Sequence, residues 1–120
     1  SIQTFNNIDF DTDLLRYSYN SLNEPVQIVD FNMKTKKRII RKEQKVNDEK
    51  FKKENYVTER KWAKAKDGVL IPISIIYKKG TEKDSKNPLL IYGYGSYGHT
   101  IDPYFSVSRL TLWIGGLYLL

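Results

Sequence analysis

Residues 92–98 (YGYGSYG) interleave tyrosines with glycines in a way that could support chemistry. Glycine permits positive φ angles and close approach to the backbone, and a tyrosine hydroxyl donates hydrogen bonds. The apolar segment 88–92 precedes this run, and Ser106 and Ser108 behind it can cap a helix. A buried strand, a glycine-rich loop and a helix in this order can hold a donor that stabilises an oxyanion. A flexible loop or an aromatic stacking surface has the same composition, so composition leaves these alternatives open.

The residues that nucleophilic catalysis requires are mostly missing. The chain has no cysteine and a single histidine, His99, so a thiol nucleophile, a zinc–thiolate site and a multi-histidine metal site are excluded. Ser96 lies in residues 95–98 (GSYG), which do not form the G-x-S-x-G nucleophile elbow. We therefore assign no catalytic role to His99.

The positive charge is concentrated in the middle of the chain. Residues 34–66 carry fourteen bases and five acids, whereas residues 1–33 carry one base and five acids. Phe51, Tyr56 and Trp62 are interleaved with the basic residues, as a nucleic-acid-binding surface would require. The charges also alternate with apolar residues, which a solvated β face explains equally well.

The hydrophobic pattern predicts a β-rich chain. Residues 15–19 alternate in the manner of a strand, and turn residues separate them from the next segments, which indicates a β meander. Residues 43–55 are charged and predict a solvated linker. Asp67-Gly68 predicts a two-residue hairpin turn, and Pro72 an edge position or a bulge. The predicted strands are 15–19, 26–31, 37–42, 56–66, 69–77, 88–92 and 117–120. The strand at 88–92 is expected to be buried on both faces of its sheet. The predicted helix spans 106–112 and ends at Gly115-Gly116.

The length of 120 residues allows one domain or a piece of a larger protein. The apolar stretch 110–120 is shorter than the roughly 20 residues that a membrane span needs. We expect no membrane partner, a cytoplasmic location, and a chain that stops before its fold is complete.

Residues 87–98 (NPLLIYGYGSYG) and 102–110 (DPYFSVSRL) resemble the prolyl oligopeptidase family of serine peptidases. Within it they are most similar to the oligopeptidase B, or protease II, subfamily. Three further blocks occur in the family's order, and the resemblance covers residues 12–112. These blocks are 15–22 (LRYSYNSL), 55–62 (NYVTERKW) and 66–77 (KDGVLIPISIIY).

The resemblance implies the end of a seven-bladed β-propeller followed by the first strands of an α/β-hydrolase domain. Residues 1–45 would then belong to the last blade, 46–55 to the interdomain linker and 56–120 to the start of the peptidase domain. It further implies that Tyr94 donates its hydroxyl to the oxyanion and that Tyr97 lines the substrate pocket. The implied substrates are short peptides cleaved after Arg or Lys, with no cofactor and no nucleic acid.

In the family, the nucleophilic serine, the triad aspartate and the triad histidine follow further along the chain. We therefore expect the 120 residues to be inactive alone and to be a fragment that a complementary fragment could complete. Residues 113–120 depart from the family by being uncharged. Two alternatives remain: a pseudogene remnant without function, and a non-enzymatic basic β module that binds nucleic acid.

Overall fold

The computed structural model describes residues 1–84, 86–114 and 118–119 and is β-rich, as predicted. Its strands form two four-stranded sheets, in the orders β1-β2-β3-β4 and β5-β6-β8-β7. The elements are β1 (Ile2–Thr4), β2 (Leu14–Tyr19), β3 (Gln27–Asn32), β4 (Arg38–Glu43), β5 (Tyr56–Lys64), β6 (Leu70–Lys78), β7 (Leu89–Leu90), α1 (Val107–Ile114) and β8 (Tyr118–Leu119), with a 3₁₀ turn at Lys53–Asn55.

The first sheet is an antiparallel meander whose turns follow from side-chain chemistry. Asn32 accepts hydrogen bonds on its side-chain oxygen from the backbone N–H groups of Lys34 and Thr35, at 3.0 and 2.8 Å. Lys36 completes the turn with a φ of 60°. The meander prediction is confirmed, with strand ends shifted by one residue. Strand β1 was not predicted, because its three residues are all exposed and show no alternation.

The second sheet is built on a long hairpin. Strands β5 and β6 pair in unbroken antiparallel register from Tyr56↔Lys78 to Lys64↔Leu70. The prediction of a two-residue turn was wrong. The backbone N–H of Ala65 donates to the Val69 carbonyl at 2.8 Å, which leaves a three-residue loop closed by Gly68 at a φ of 89°. A three-residue loop places glycine at this left-handed position because it has no Cβ to clash.

Pro72 lies at a sheet edge, as predicted. It pairs with Trp62 on one side, and the described residues of β8 pair with β6 at Ile76. Within the residues that the structure describes, the other side of β6 at Pro72 has no strand, so the missing N–H leaves no ladder bond unmade.

The prediction that 88–92 form a strand buried on both faces was wrong. Only β7 is a strand, pairing in parallel with β8, and Leu89 and Ile91 are 51% and 69% exposed. An apolar run of this kind is buried when layers cover both faces of the sheet, and the described residues provide no such layers around β7. The predicted helix end at Gly115-Gly116 and residues 117 and 120 lie outside the described part of the chain.

One core cluster joins the two halves of the chain. Ile76, Leu110 and Phe105 come from the second half, and Leu22 comes from the turn after β2. The charged segment 43–55 was predicted to be solvated, and this was wrong in part, because its Val46 and Phe51 pack against this cluster. Burial of these two side chains offsets the cost of ordering a segment that is otherwise polar.

Two acidic side chains connect neighbouring strands of the sheets. Asp30, on β3, accepts from Arg16 at 2.6 and 2.8 Å and from Arg41 at 2.7 Å, and these hydrogen bonds hold the pKa of its carboxyl well below the usual range. Glu59 accepts from Lys83 at 2.8 Å and from the Tyr77 hydroxyl, and these hydrogen bonds lower its pKa to about 2. The two clusters fix neighbouring strands, and the second also fixes the loop after β6.

The molecule is open in shape. Its radius of gyration is 17.4 Å, against about 13.6 Å for a compact domain of this length. Its accessible surface is 9198 Å², against about 6,700 Å² for a compact protein of 14.1 kDa. Among the described residues there is no helix with the length and apolarity needed to cross a bilayer.

Candidate active-site loop

Tyr94 lies on an irregular loop between β7 and α1. Its side chain is 53% exposed, and its ring centroid is 6.5 Å from that of His99. Gly93 and Gly95 flank it, and a Cβ at either position would meet no atom within 4 Å. The phenol is therefore accessible to a ligand, and the backbone beside it has no side chain to obstruct an approach.

Tyr97 occupies a tight turn at the other end of this loop. The N–H of His99 donates to the Ser96 carbonyl at 3.1 Å, and the two central residues, Tyr97 and Gly98, have φ angles of 57° and 69°. Positive φ at both central positions is typical of a type I′ turn. For tyrosine this conformation costs on the order of 1–3 kcal/mol, which is typical of functional sites. The Tyr97 ring is 93% exposed, so it can contact a ligand, and its role in substrate binding stays a prediction.

Arg109, on α1, packs on two tyrosine rings and was missed as a site residue. Its guanidinium carbon is 4.4 Å from the centroid of Tyr92 and 4.7 Å from that of Tyr104. Its Nη2 also donates to the Tyr104 hydroxyl at 2.8 Å. Nothing in the local sequence indicates this arrangement, because Tyr92 and Arg109 are brought together by the fold and follow no helical or strand periodicity.

The loop can supply a hydrogen-bond donor but not a complete catalytic site. The phenol of Tyr94 can donate to an oxyanion, since a fixed donor aimed at developing charge stabilises a tetrahedral intermediate. The sequence contains no nucleophile elbow, and its single histidine, His99, lies beside Tyr94.

The alternative nucleic-acid surface loses two of its three aromatic residues. Tyr56 is 5% exposed and stacks on Phe51 with ring centroids 5.8 Å apart, inside the core cluster. Only Trp62 is exposed, at 60%, with the guanidinium of Arg60 over its ring. Bases stack on exposed rings, so the central segment offers one platform where the pattern predicted three.

No protein-family model matches the chain. Dipeptidyl aminopeptidase BI of Pseudoxanthomonas mexicana is 44% identical over 102 residues, which is 84% of this chain and 14% of that protein. Prolyl endopeptidase of Elizabethkingia meningoseptica is 39% identical over 106 residues, or 87% of this chain and 14% of that protein. The chain therefore spans about one seventh of the length of these relatives.

The fold agrees with the sequence comparison. Oligopeptidase B from Trypanosoma brucei, solved in a closed form with covalently bound antipain, matches 99% of this chain with a TM-score of 0.86 and 32% identity. The match covers 17% of that chain. The fold of these residues is thus similar to a part of a much longer peptidase. The chain belongs to the prolyl oligopeptidase family of serine peptidases.

Proposed function

We propose that these residues supply part of the active site of a serine oligopeptidase, with Tyr94 as the side-chain donor of the oxyanion hole. The observation that carries the proposal is the half-exposed phenol of Tyr94 on a glycine-flanked loop between β7 and α1. The family resemblance assigns the same role to this position.

The proposed chemistry divides the work between this chain and the rest of the enzyme. A serine outside the 120 residues attacks the scissile carbonyl carbon, and a histidine takes the serine proton and passes it to the leaving amine. As the carbonyl oxygen becomes negative, the Tyr94 hydroxyl donates a hydrogen bond to it, together with a backbone N–H next to the serine. Loss of one such donor lowers kcat by about 10²–10³-fold.

The proposed domain division places the boundary between the two sheets. Residues 1–45 would form the last blade of a seven-bladed propeller, 46–55 the linker, and 56–120 the first strands of an α/β-hydrolase domain. The four-stranded meander β1–β4 supports the first assignment, because propeller blades are four-stranded sheets. The parallel pairing of β7 with β8 supports the last.

The proposed substrates are short peptides cleaved after Arg or Lys, by resemblance to oligopeptidase B. The proposed partner of the chain is the remainder of the same enzyme, either in one polypeptide or as a complementary fragment. The excess accessible surface, about 2,500 Å² over that of a compact protein, supports this partner. A standard interface covers about 800 Å² on each side, so the excess exceeds what one ordinary partner would cover.

A segment exchange tests the role of Tyr94. These 120 residues replace the matching part of Trypanosoma brucei oligopeptidase B, and hydrolysis of a fluorogenic Arg substrate is measured. We expect Tyr94→Phe to lower kcat by about 10²–10³-fold, because Phe keeps the ring and removes the donor. Tyr17→Phe, on β2 and outside the loop, is the matched control and should keep the parent kcat. Equal kcat values for the two variants would refute the role of Tyr94.

The isolated chain tests whether the catalytic nucleophile lies outside these 120 residues. Purified alone, it should hydrolyse no Arg or Pro substrate, because it lacks the nucleophile. Arg-specific amidase activity that titrates with a serine-directed inhibitor would overturn this expectation. The complete reading frame, assayed with paired Arg and Pro substrates, tests the specificity.

A further inference from the structure

We propose that Arg109 is a positioning residue that fixes the loop of Tyr94 through the ring of Tyr92. The proposal rests on the proposed function, since it explains how a donor on an exposed loop is held in place. Arg109 touches no reacting atom in this scheme and acts through its two aromatic neighbours.

The contact geometry is that of a guanidinium packed on two aromatic rings. The guanidinium carbon lies over the Tyr92 ring at 4.4 Å and over the Tyr104 ring at 4.7 Å, both well inside the 6 Å range of cation–π attraction. The hydrogen bond from Nη2 to the Tyr104 hydroxyl fixes the rotation of the guanidinium plane. Arginine suits this site because a planar, weakly hydrated cation stacks on rings and still donates hydrogen bonds.

The charge of Arg109 has no acidic partner among the described residues. The ion pairs of residues 1–84 and 86–114 involve other cations, such as Arg16 and Arg41 on Asp30. Its partners in the described part of the chain are two aromatic rings and one phenol oxygen, so it holds rings rather than a carboxylate.

The loop needs this anchor because little else holds its first half. The space around Gly93 and Gly95 is open, and Ile91 is 69% exposed. Beyond Tyr94 the backbone closes a local turn between Ser96 and His99. Tyr92 is two residues before Tyr94, so holding Tyr92 beside Arg109 of α1 fixes the near end of the segment that carries Tyr94.

The test measures loop order in the purified 120-residue chain by ¹⁵N relaxation. Arg109→Gln keeps a planar polar group but removes the cation and the guanidinium that packs on the two rings. We expect the order parameters of Gly93 and Gly95 to fall from about 0.85 to below about 0.6. Arg60→Gln is the matched control, because it also removes an arginine from over a ring, that of Trp62, on the distant β5–β6 hairpin. It should leave the loop unchanged.

Conservative variants separate positioning from folding. Arg109→Lys keeps the charge but not the planar stack, so it should restore only part of the order. If Arg109→Gln does not fold, Tyr104→Phe removes the hydrogen bond alone and should raise the mobility of the Arg109 Nε–H. Unchanged loop order in Arg109→Gln, or unchanged Nε–H mobility in Tyr104→Phe, overturns the proposal.

Kinetics of the oligopeptidase B that carries these 120 residues in place of its own segment distinguish this inference from the proposed function. Arg109→Gln should lower kcat by up to about 10²-fold with little change in KM, because a displaced donor weakens the transition state and not the binding of substrate. If Tyr94→Phe lowers kcat and Arg109→Gln leaves kcat unchanged, the positioning role is refuted and the oxyanion role stands. If Arg109→Gln disorders the loop and Tyr94→Phe keeps full kcat, the positioning stands and the oxyanion role is refuted.

Discussion

Ile76 is the position where one substitution should report on the whole fold. It is fully buried, it pairs with Thr58 on β5, and it is the residue at which β6 meets β8. Its side chain belongs to the cluster that contains Leu22 from the first half of the chain and Phe105 from the second. Ile76→Ala therefore removes contacts that both halves share.

The expected cost can be worked from this burial. Alanine lacks three of the carbon atoms of isoleucine, and each buried methylene or methyl group contributes about 0.8 kcal/mol, which gives about 2.4 kcal/mol. A residual cavity on the order of 40 Å³ adds about 1 kcal/mol. We expect Ile76→Ala to lower the free energy of unfolding by about 3–4 kcal/mol, and Ile76→Val by about 1 kcal/mol.

Urea unfolding followed by circular dichroism gives these values from the midpoint and the slope. Ile71→Ala is the matched control, since Ile71 lies on the same strand, is 48% exposed, and should cost about 0.5 kcal/mol. Because the cluster joins the two halves, tyrosine fluorescence should show the same single transition as circular dichroism. Equal midpoints for Ile76→Ala and Ile71→Ala, or two separate transitions, would refute the shared core.

Two further predictions concern pH and backbone strain. Glu59 has its pKa lowered from 4.5 to about 2, chiefly by its hydrogen bond from Lys83, so its contribution to stability is present above pH 4.5 and is lost as the pH falls toward about 2. The urea midpoint of the parent should therefore exceed that of Glu59→Gln at pH 6, and the difference should vanish near pH 2; a constant difference would contradict this. Gly68→Ala should cost about 1–2 kcal/mol in urea unfolding, because Gly68 has a φ of 89°, whereas Gly93→Ala should cost much less, and equal costs would contradict the strain at Gly68.

The features of this fold that depend on neighbouring residues could be predicted from the sequence, and those that depend on contacts between distant segments could not. Alternating apolar residues and turn residues were enough for the meander and for the β5–β6 hairpin, because both depend on neighbours in the chain. The partial burial of Phe51 was missed because the segment around it is charged, and only the folded chain brings Phe105 against it, with ring centroids 5.4 Å apart. The exposure of Leu89 was missed because an apolar run indicates burial without indicating which residues supply the cover.

The candidate site shows the same difference between features that the local sequence indicates and contacts that only the fold creates. The tyrosine–glycine composition of 92–98 indicated a permissive loop that carries hydrogen-bond donors, and only the resemblance to the family singled out Tyr94 and Tyr97 within it. The packing of Arg109 on Tyr92 could not be predicted, because only the folded chain brings Arg109 of α1 over the Tyr92 ring and lets its Nη2 donate to the Tyr104 hydroxyl. Side-chain stacking between segments leaves no periodic trace in a sequence.

Because the core joins the two halves of the chain, it can form only late in protein synthesis. Leu22 leaves the ribosome nearly ninety residues before Leu110, its partner in the cluster. At a translation rate of about 5–20 residues per second, the β1–β4 meander is synthesised on the order of 4–18 s before the residues that cover its side of the core. During that interval the exposed isoleucines of β4, Ile39 and Ile40, stand on an open edge among Arg38, Arg41 and Lys42. Charged residues on an edge strand oppose pairing between chains, so the basic segment can protect the nascent protein while its core is incomplete.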